Sequence, residues 1–330
     1  MGMIMNDTTA STALTTPGSA SIDLHRLVEH AQEFQRSSRS RRTVVEYERD
    51  MKHFMSWVEV HGGQALPATP EIVALYATDC ASRLGHRAST IRRRVTAVGV
   101  IHKLAGLDQP NRSPLVLDVL RGIARTLGTA PDQKKPVMVT DIKKMLRKLP
   151  NNRRGARDRT VLLLGLAGAF RRSELSSLDV ADLTFTNEGL VINLKESKTD
   201  KLKAGTLVGI PHGSHESTCP VRSLQHYMQI AGVADGPLLR GIDRGDRVLP
   251  ERLSPQGVAR LIKKAVGSIG LDVRRFSGHS LRSGFATSAA LNGSATHAIA
   301  RQGRWKSNIV HSYIRHATVL VDNAAGNLGL

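Results

Sequence analysis

Apolar side chains recur at helical spacing through the first half of the chain. Leu24, Leu27, Val28 and Ala31 mark one stripe; Val44, Val45, Tyr47, Met51, Phe54, Met55 and Val58 mark a second. TPEIVALYATDCASRL follows, with Thr69 placed as an N-cap and Pro70 at the first helical position. STIRRRVTAVGVIHKLAGL and SPLVLDVLRGIARTL add two further helices. No convincing strand pattern interrupts them. Four or five helices over residues 21–128 predict a compact bundle.

The pattern then breaks at GTAPDQKKPVMVT, where glycine, prolines and lysines predict a linker over 129–137. Residues 138–330 read as a second domain. TDIKKMLRKL and ARDRTVLLLGLAGAF are helical, but GLVINL and GTLVGIP are short β-rich runs around a polar turn, KESKTDKLKA, which predicts a hairpin or small sheet. Helical periodicity returns in CPVRSLQHYMQIAG, SPQGVARLIKKAVGSIG, SLRSGFATSAALNG, ATHAIARQG and NIVHSYIRHA. The pattern therefore predicts a mainly α protein: an N-terminal helical bundle, then a mixed α/β domain with a small sheet.

Charge changes the picture more than composition does. The formal net charge is +19 over 330 residues, which calls for a polyanionic partner, nucleic acid first. Residues 1–20 are rich in Thr, Ser and Ala and lack the apolar core of a signal peptide, so they read as a disordered tail. No stretch approaches the roughly 20 apolar residues of a membrane span. Cys80 and Cys219 stand far apart with no metal-ligand spacing, which fits a reducing, cytoplasmic compartment.

Four motifs carry candidate chemistry. In GAFRRSELSSL, an arginine at the end of a very apolar helix needs an anion or an acid, and Glu174 is three residues from Arg171, close enough to orient a guanidinium. Arg172 is its rival, and a charged surface turn is the plain alternative. LKESKTDKLKAG clusters lysines on a turn, which are usually only solvated but can deliver a proton if the turn enters a cleft. FSGHSLRSGFAT places His279 and Arg282 at a helix start among small residues, with Ser280 or His279 as the cap, an arrangement suited to phosphate. Finally, GRWKSNIVHSYIRHA holds one of two tryptophans and the last of four tyrosines. Its Ile309, Val310, Tyr313 and Ile314 form a stripe that fits ordinary core packing equally well.

The order of these motifs is more telling than any one of them. Arg-x-x-Glu-Leu, a lysine on a β-turn, His-x-x-Arg, then Trp and a C-terminal Tyr together resemble the tyrosine recombinase (phage integrase) family over nearly the whole chain. The resemblance implies a core-binding, SAM-like helical domain and a catalytic domain that form a C-shaped clamp on DNA. It implies strand breakage and rejoining through a 3′-phosphotyrosyl link, with no metal and no other cofactor. It assigns Arg171 and Arg282 to the phosphate, Glu174 to Arg171, Lys198 to the leaving 5′-oxygen, and His279 to the nucleophile's proton or the phosphate. Trp305 stands where most members have a second histidine, and Tyr313 is the nucleophile. Lys195, Lys201 and Lys203 compete with Lys198. Trp305 and Tyr313 are one residue closer than is usual in the family.

The implied partner is double-stranded DNA carrying an inverted-repeat site, bound by a tetramer that passes through a Holliday junction. Arg41, Arg42, Lys103 and Arg240, with Arg92, Arg93 and Arg94, which fan around one helix, are candidate DNA contacts. Lys134 and Lys135 would track the backbone between domains, and Gln256, on a first helical turn, is a candidate for reading adenine. Val319, Leu320 and Val321 would plug a neighbouring protomer or pack on their own domain. A type IB topoisomerase-like enzyme and a catalytically inactive DNA-binding regulator are the rival readings.

Overall fold

The computed structural model describes residues 40–129, 134–195, 205–305 and 309–314, and it divides into two compact units that part between Pro131 and Asp132. The expected tail and the Leu24 stripe lie outside the described residues, as do Lys198, Lys201, Lys203 and Val319–Val321.

Among the described residues, the first unit holds four α-helices: α1 (Arg41–His61), α2 (Pro70–Ser82), α3 (Ala88–Leu104) and α4 (Pro114–Leu127). Ser40 and Thr69 cap α1 and α2 by accepting the backbone N–H three residues on. The core joins Phe54, Val73, Tyr76, Ile91, Val98 and Val116. The second apolar stripe is narrower than its sequence pattern: Met51, Phe54 and Val58 are buried, but Val44, Val45 and Met55 are exposed. α3 runs close to residue 111, because a Cβ on Gly99 would fall 1.7 Å from Asn111 Oδ1.

A polar network crosses the bundle. His53 Nδ1 lies 2.8 Å from the Tyr76 hydroxyl, and Arg94 Nη1 is 2.9 Å from His53 Nε2. Arg93 bonds Asp50 at 2.6 Å. Burial, with the Arg94 and His86 charges beside it, holds the His53 imidazole below its usual range. The unfolded chain therefore binds the extra proton, so stability is full above the unfolded pKa of about 6.5 and falls as pH drops below it. Melting temperature should decrease between about pH 7.5 and about pH 5.5, and His53→Gln should flatten that slope; an unchanged slope would remove His53 from the cause.

The second unit is built on α6 (Arg153–Ala167), preceded by α5 (Val139–Arg147) and followed by the short α7 (Arg172–Ser177). Three antiparallel strands come next, in spatial order β1 (Leu183–Phe185), β2 (Gly189–Leu194), β3 (Thr206–Pro211). The β2–β3 pair is the expected hairpin. The remaining elements are α8 (Pro220–Ala231), β4 (Arg240–Ile242), β5 (Val248–Arg252), α9 (Pro255–Ser268), α10 (Ser280–Leu291), α11 (Thr296–Gly303) and α12 (Ile309–Ile314). Leu162 and Leu164 of α6 share one core with Leu224 and Tyr227 of α8, Ile192 of β2 and Leu281 of α10.

Sequence reading missed β1 and the β4–β5 ribbon. These runs are short, and β5 carries Pro250 and mostly exposed side chains, so no period-two signal survives. The ribbon's turn is anchored from outside its strands: Asp246 accepts the backbone N–H groups of Arg153 and Arg154, capping α6. Residues 135–137, read as linker, run along the second unit instead. Val137 is fully buried, donates to the Ser280 carbonyl at 2.9 Å, and its own carbonyl fills the space beside Gly284, where a Cβ would approach to 1.9 Å.

Candidate active site

The site grows from the break after α6. Gly168 closes that helix with the Phe170 ring against it, 2.2 Å from where a Cβ would sit, and Ala169 takes the left-handed conformation at φ 47°. The chain then turns into α7 with Arg171 as N-cap. Glu174 reaches back to the Arg171 backbone N–H at 2.9 Å and also accepts from the Arg171 guanidinium. The Arg-x-x-Glu spacing thus presents Arg171 at the lip of a buried helix while fixing its direction. Arg172 packs instead along Gly278.

Arg282 enters from the first turn of α10 and is 3% exposed. Its guanidinium donates to the Ala169 carbonyl at 2.5 Å and to the Gly303 carbonyl. One face lies over the Trp305 ring, 4.2 Å from the centroid. Burial, reinforced by the neighbouring Arg171 and Arg304 charges, pushes its pKa down to about 9. Among the described residues, Arg171 and Arg304 share one carboxylate, Glu174, while the Arg282 guanidinium beside them bonds backbone carbonyls. An anion relieves their mutual repulsion, and a phosphate matches the fork geometry of guanidinium groups.

Trp305 bridges this cluster to the tyrosine. Its ring is 5.3 Å from that of Tyr313, centroid to centroid, at 42°. Tyr313 is half-buried on α12, in a small apolar cluster whose buried members are Ala286, Ile299 and Val310. Thr287 Oγ1 donates to the Tyr313 carbonyl at 3.4 Å, tying α12 to α10. Val310, Tyr313 and Ile314 of the stripe therefore do pack a core, and they do so while placing the tyrosine beside Trp305. Residues 306–308, which carry the shortened Trp–Tyr spacing, lie outside the described residues.

Gly303 makes this arrangement possible, since a Cβ there would fall 1.7 Å from Trp305 Cζ3. Gly303→Ala should displace the indole, red-shifting Trp305 emission in a Trp57→Phe background, and slow any reaction that depends on the Arg282–Trp305–Tyr313 arrangement by about 10- to 100-fold. Unchanged emission and rate would show that the glycine is dispensable.

The remaining expected residues fall in varied places. His279 is the N-cap residue of α10 and is exposed, with no side-chain bond to the helix start. Ser280 Oγ accepts the Ser277 N–H instead. Lys195 pairs with buried Asp182 at 2.7 Å. Tyr76 and Tyr227 are fully buried, and Tyr47 is half-buried on α1.

Of the candidate DNA contacts, Arg92, Lys103, Lys134, Lys135 and Gln256 are exposed, Gln256 on the first turn of α9. Arg93 and Arg94 turn into the bundle network, and Arg240 binds the Asp235 and Pro237 carbonyls. Arg41 and Arg42 lie in the first turn of α1, but their side chains are outside what is described. Sequence reasoning missed Arg304, whose only signal was an arginine between the glycine and tryptophan of GRW.

Guanidinium groups converging beside a tyrosine, in a strongly basic chain, suit phosphoryl transfer on a nucleic acid. Comparison makes the class specific. The phage integrase family model matches residues 137–318. An integrase/recombinase xerD homolog of Selenomonas ruminantium is 37% identical over 297 residues, 88% of this chain and 86% of the relative. The recombinase cre of Escherichia phage P1 is 26% identical over 285 residues, 80% of this chain and 81% of its own length. The fold matches that of the Tn1549 transposon integrase in complex with transposon right-end DNA, with a TM-score of 0.61 and 17% identity, covering 91% of this chain and 98% of that one. This chain belongs to the phage integrase family, the tyrosine recombinases, and its activity is site-specific DNA recombination. Among the described residues, no helix is long and apolar enough to cross a membrane.

Proposed function

We propose that strand exchange proceeds by attack of the Tyr313 hydroxyl oxygen on a scissile DNA phosphorus. The P–O5′ bond breaks as the P–O(Tyr) bond forms, giving a 3′-phosphotyrosyl link and a free 5′-hydroxyl. His279 takes or shares the tyrosine proton, and Lys198 protonates the leaving 5′-oxygen. The 5′-hydroxyl of the partner strand then attacks the phosphotyrosyl phosphorus and expels Tyr313. Phosphoester energy is conserved in the covalent intermediate, so neither ATP nor a metal is consumed.

One observation carries this reading: Arg282 is fixed between the Ala169 and Gly303 carbonyls and the face of Trp305, whose ring lies 5.3 Å from that of Tyr313. Arg171, held by Glu174, supplies a second guanidinium. Two such forks neutralise the charge that builds on the non-bridging oxygens. Trp305 cannot move a proton; its indole N–H can donate to a phosphate oxygen, and its ring holds Arg282 and Tyr313 in register.

The partner in this reading is a double-stranded DNA site with inverted repeats, recombined by a tetramer through a Holliday junction in the cytoplasm, on the nucleoid. Both units contribute contacts: the domain of residues 21–128 through exposed Arg92 and Lys103, and the catalytic domain through Gln256. The net charge of +19 supports steep salt dependence of binding. Footprinting combined with covalent trapping on DNA flanking the gene tests the reading, because it yields site and activity together. A protected inverted repeat with an adduct inside it supports it; protection with no adduct on any nicked form of the site refutes it.

A further inference from the structure

Arg304 stands out among groups that the proposed mechanism does not use. It terminates α11 in the left-handed conformation, φ 55° and ψ 41°, where a Cβ is disfavoured and glycine is the ordinary choice. Yet the residue carries the longest of cationic side chains, and that side chain is only 6% exposed. Its guanidinium donates to the carbonyls of Gly168 at 3.0 Å, Gln302 at 2.8 Å and Ala169 at 3.1 Å, and to Glu174 Oε2 at 2.9 Å. The Phe170 ring lies 5.2 Å away on its face.

Glu174 is the point of contact with the chemistry. Its two oxygens are divided: Oε1 receives the Arg171 guanidinium, and Oε2 receives Arg304 and the Arg171 backbone. Burial alone would raise the Glu174 pKa, but Arg304 first, and Arg171 after it, hold the carboxyl below its usual range. Without Arg304, the full charge of a buried carboxylate would fall on Arg171 alone. A carboxylate and a phosphate compete for the same guanidinium fork. Arg171 would then be drawn inward, bidentate on Glu174, and away from a scissile phosphate.

We propose that Arg304 is a positioning residue: by neutralising Glu174 from behind, it leaves the Arg171 guanidinium available to the scissile phosphate. The carbonyls of residues 168, 169 and 302 fix Arg304 in place for that task, and Ala169 links it to Arg282, which bonds the same carbonyl. The inference rests on Arg171 and Arg282 being the phosphate clamp.

The test measures the rate of covalent adduct formation on a nicked cognate duplex at saturating DNA, with non-covalent DNA affinity and melting temperature alongside. Arg304→Gly relieves the backbone and removes the guanidinium, so a role confined to the turn leaves activity intact or raised. The inference expects a loss of about 100-fold in rate, affinity within a few-fold of the parent, and partial recovery in Arg304→Lys. The decisive comparison is made in the Glu174→Gln background, where no carboxylate remains to capture Arg171 and the folding cost of an unpaired buried acid is gone. There Arg304→Gly should change the rate by no more than a few-fold. A full loss of about 100-fold in that background, or no loss in the Arg304→Gly single variant, overturns the inference. Failure of the clamp itself looks different: Arg171→Ala and Arg282→Ala would then keep the parental rate.

Discussion

Replacing Tyr313 by phenylalanine should abolish covalent attachment to DNA while leaving the fold and DNA affinity intact. The phenyl ring keeps the contact with Trp305 at 5.3 Å and the packing of α12 on the Ala286, Ile299 and Val310 cluster. What the proposed mechanism loses is the attacking oxygen. Tyr76 and Tyr227 are fully buried in cores, and Tyr47 lies on α1 of the first unit. Removing a nucleophile costs at least about 10⁴-fold in rate, so denaturing gels should show no adduct above background. Unaltered mobility shifts with the same DNA would confirm that binding survives. An adduct in Tyr313→Phe would displace the nucleophile to another side chain.

Arg282→Lys should be the next most damaging change, although it conserves charge. Arg282 is buried, donates to the Ala169 and Gly303 carbonyls and has its guanidinium carbon 4.2 Å from the Trp305 ring centroid, contacts that together orient its fork. Lysine offers a compact ammonium that cannot hold both carbonyls and still present two parallel donors to a phosphate. Cleavage should slow by about 10²- to 10³-fold, the range seen when one donor to a developing oxyanion is removed. The salt dependence of DNA binding should barely move, because most of the contacting cations lie elsewhere. Equal losses in binding and cleavage would instead mark Arg282 as an affinity contact.

Much of this site was legible in sequence because its parts are local. Arg171 and Glu174 share one helical turn, and a capping box needs only that spacing. His279 and Arg282 share another. GRWKSNIVHSYIRHA declared a stripe, and its Val310, Tyr313 and Ile314 pack together. The hairpin of β2 and β3 was legible because both runs are short and β-rich around a polar turn, with inward residues such as Leu190, Ile192, Val208 and Ile210 buried in the second unit's core. Illegible features depend on contacts between distant segments. Arg304 acts across 130 positions of chain on Glu174, and nothing in its neighbours announces that partner. Arg93 and Arg94 read like DNA contacts beside Arg92, but Asp50 and His53 on α1 draw them inward. Arg240 likewise spends its guanidinium on a loop. The β4–β5 ribbon escapes because short, exposed strands carry no apolar period.

The central claim is that Tyr313, set beside the Arg282–Trp305 pair, forms the bond to DNA. Its most direct test traps the wild-type protein on a nicked cognate duplex, digests the adduct with protease, and locates the nucleotide-bearing peptide by mass spectrometry. The account predicts one modified peptide, from NIVHSYIR, with a 3′-phosphate ester on Tyr313. A phosphonucleotide on any other residue, or no covalent species on a site that the protein footprints, would contradict it.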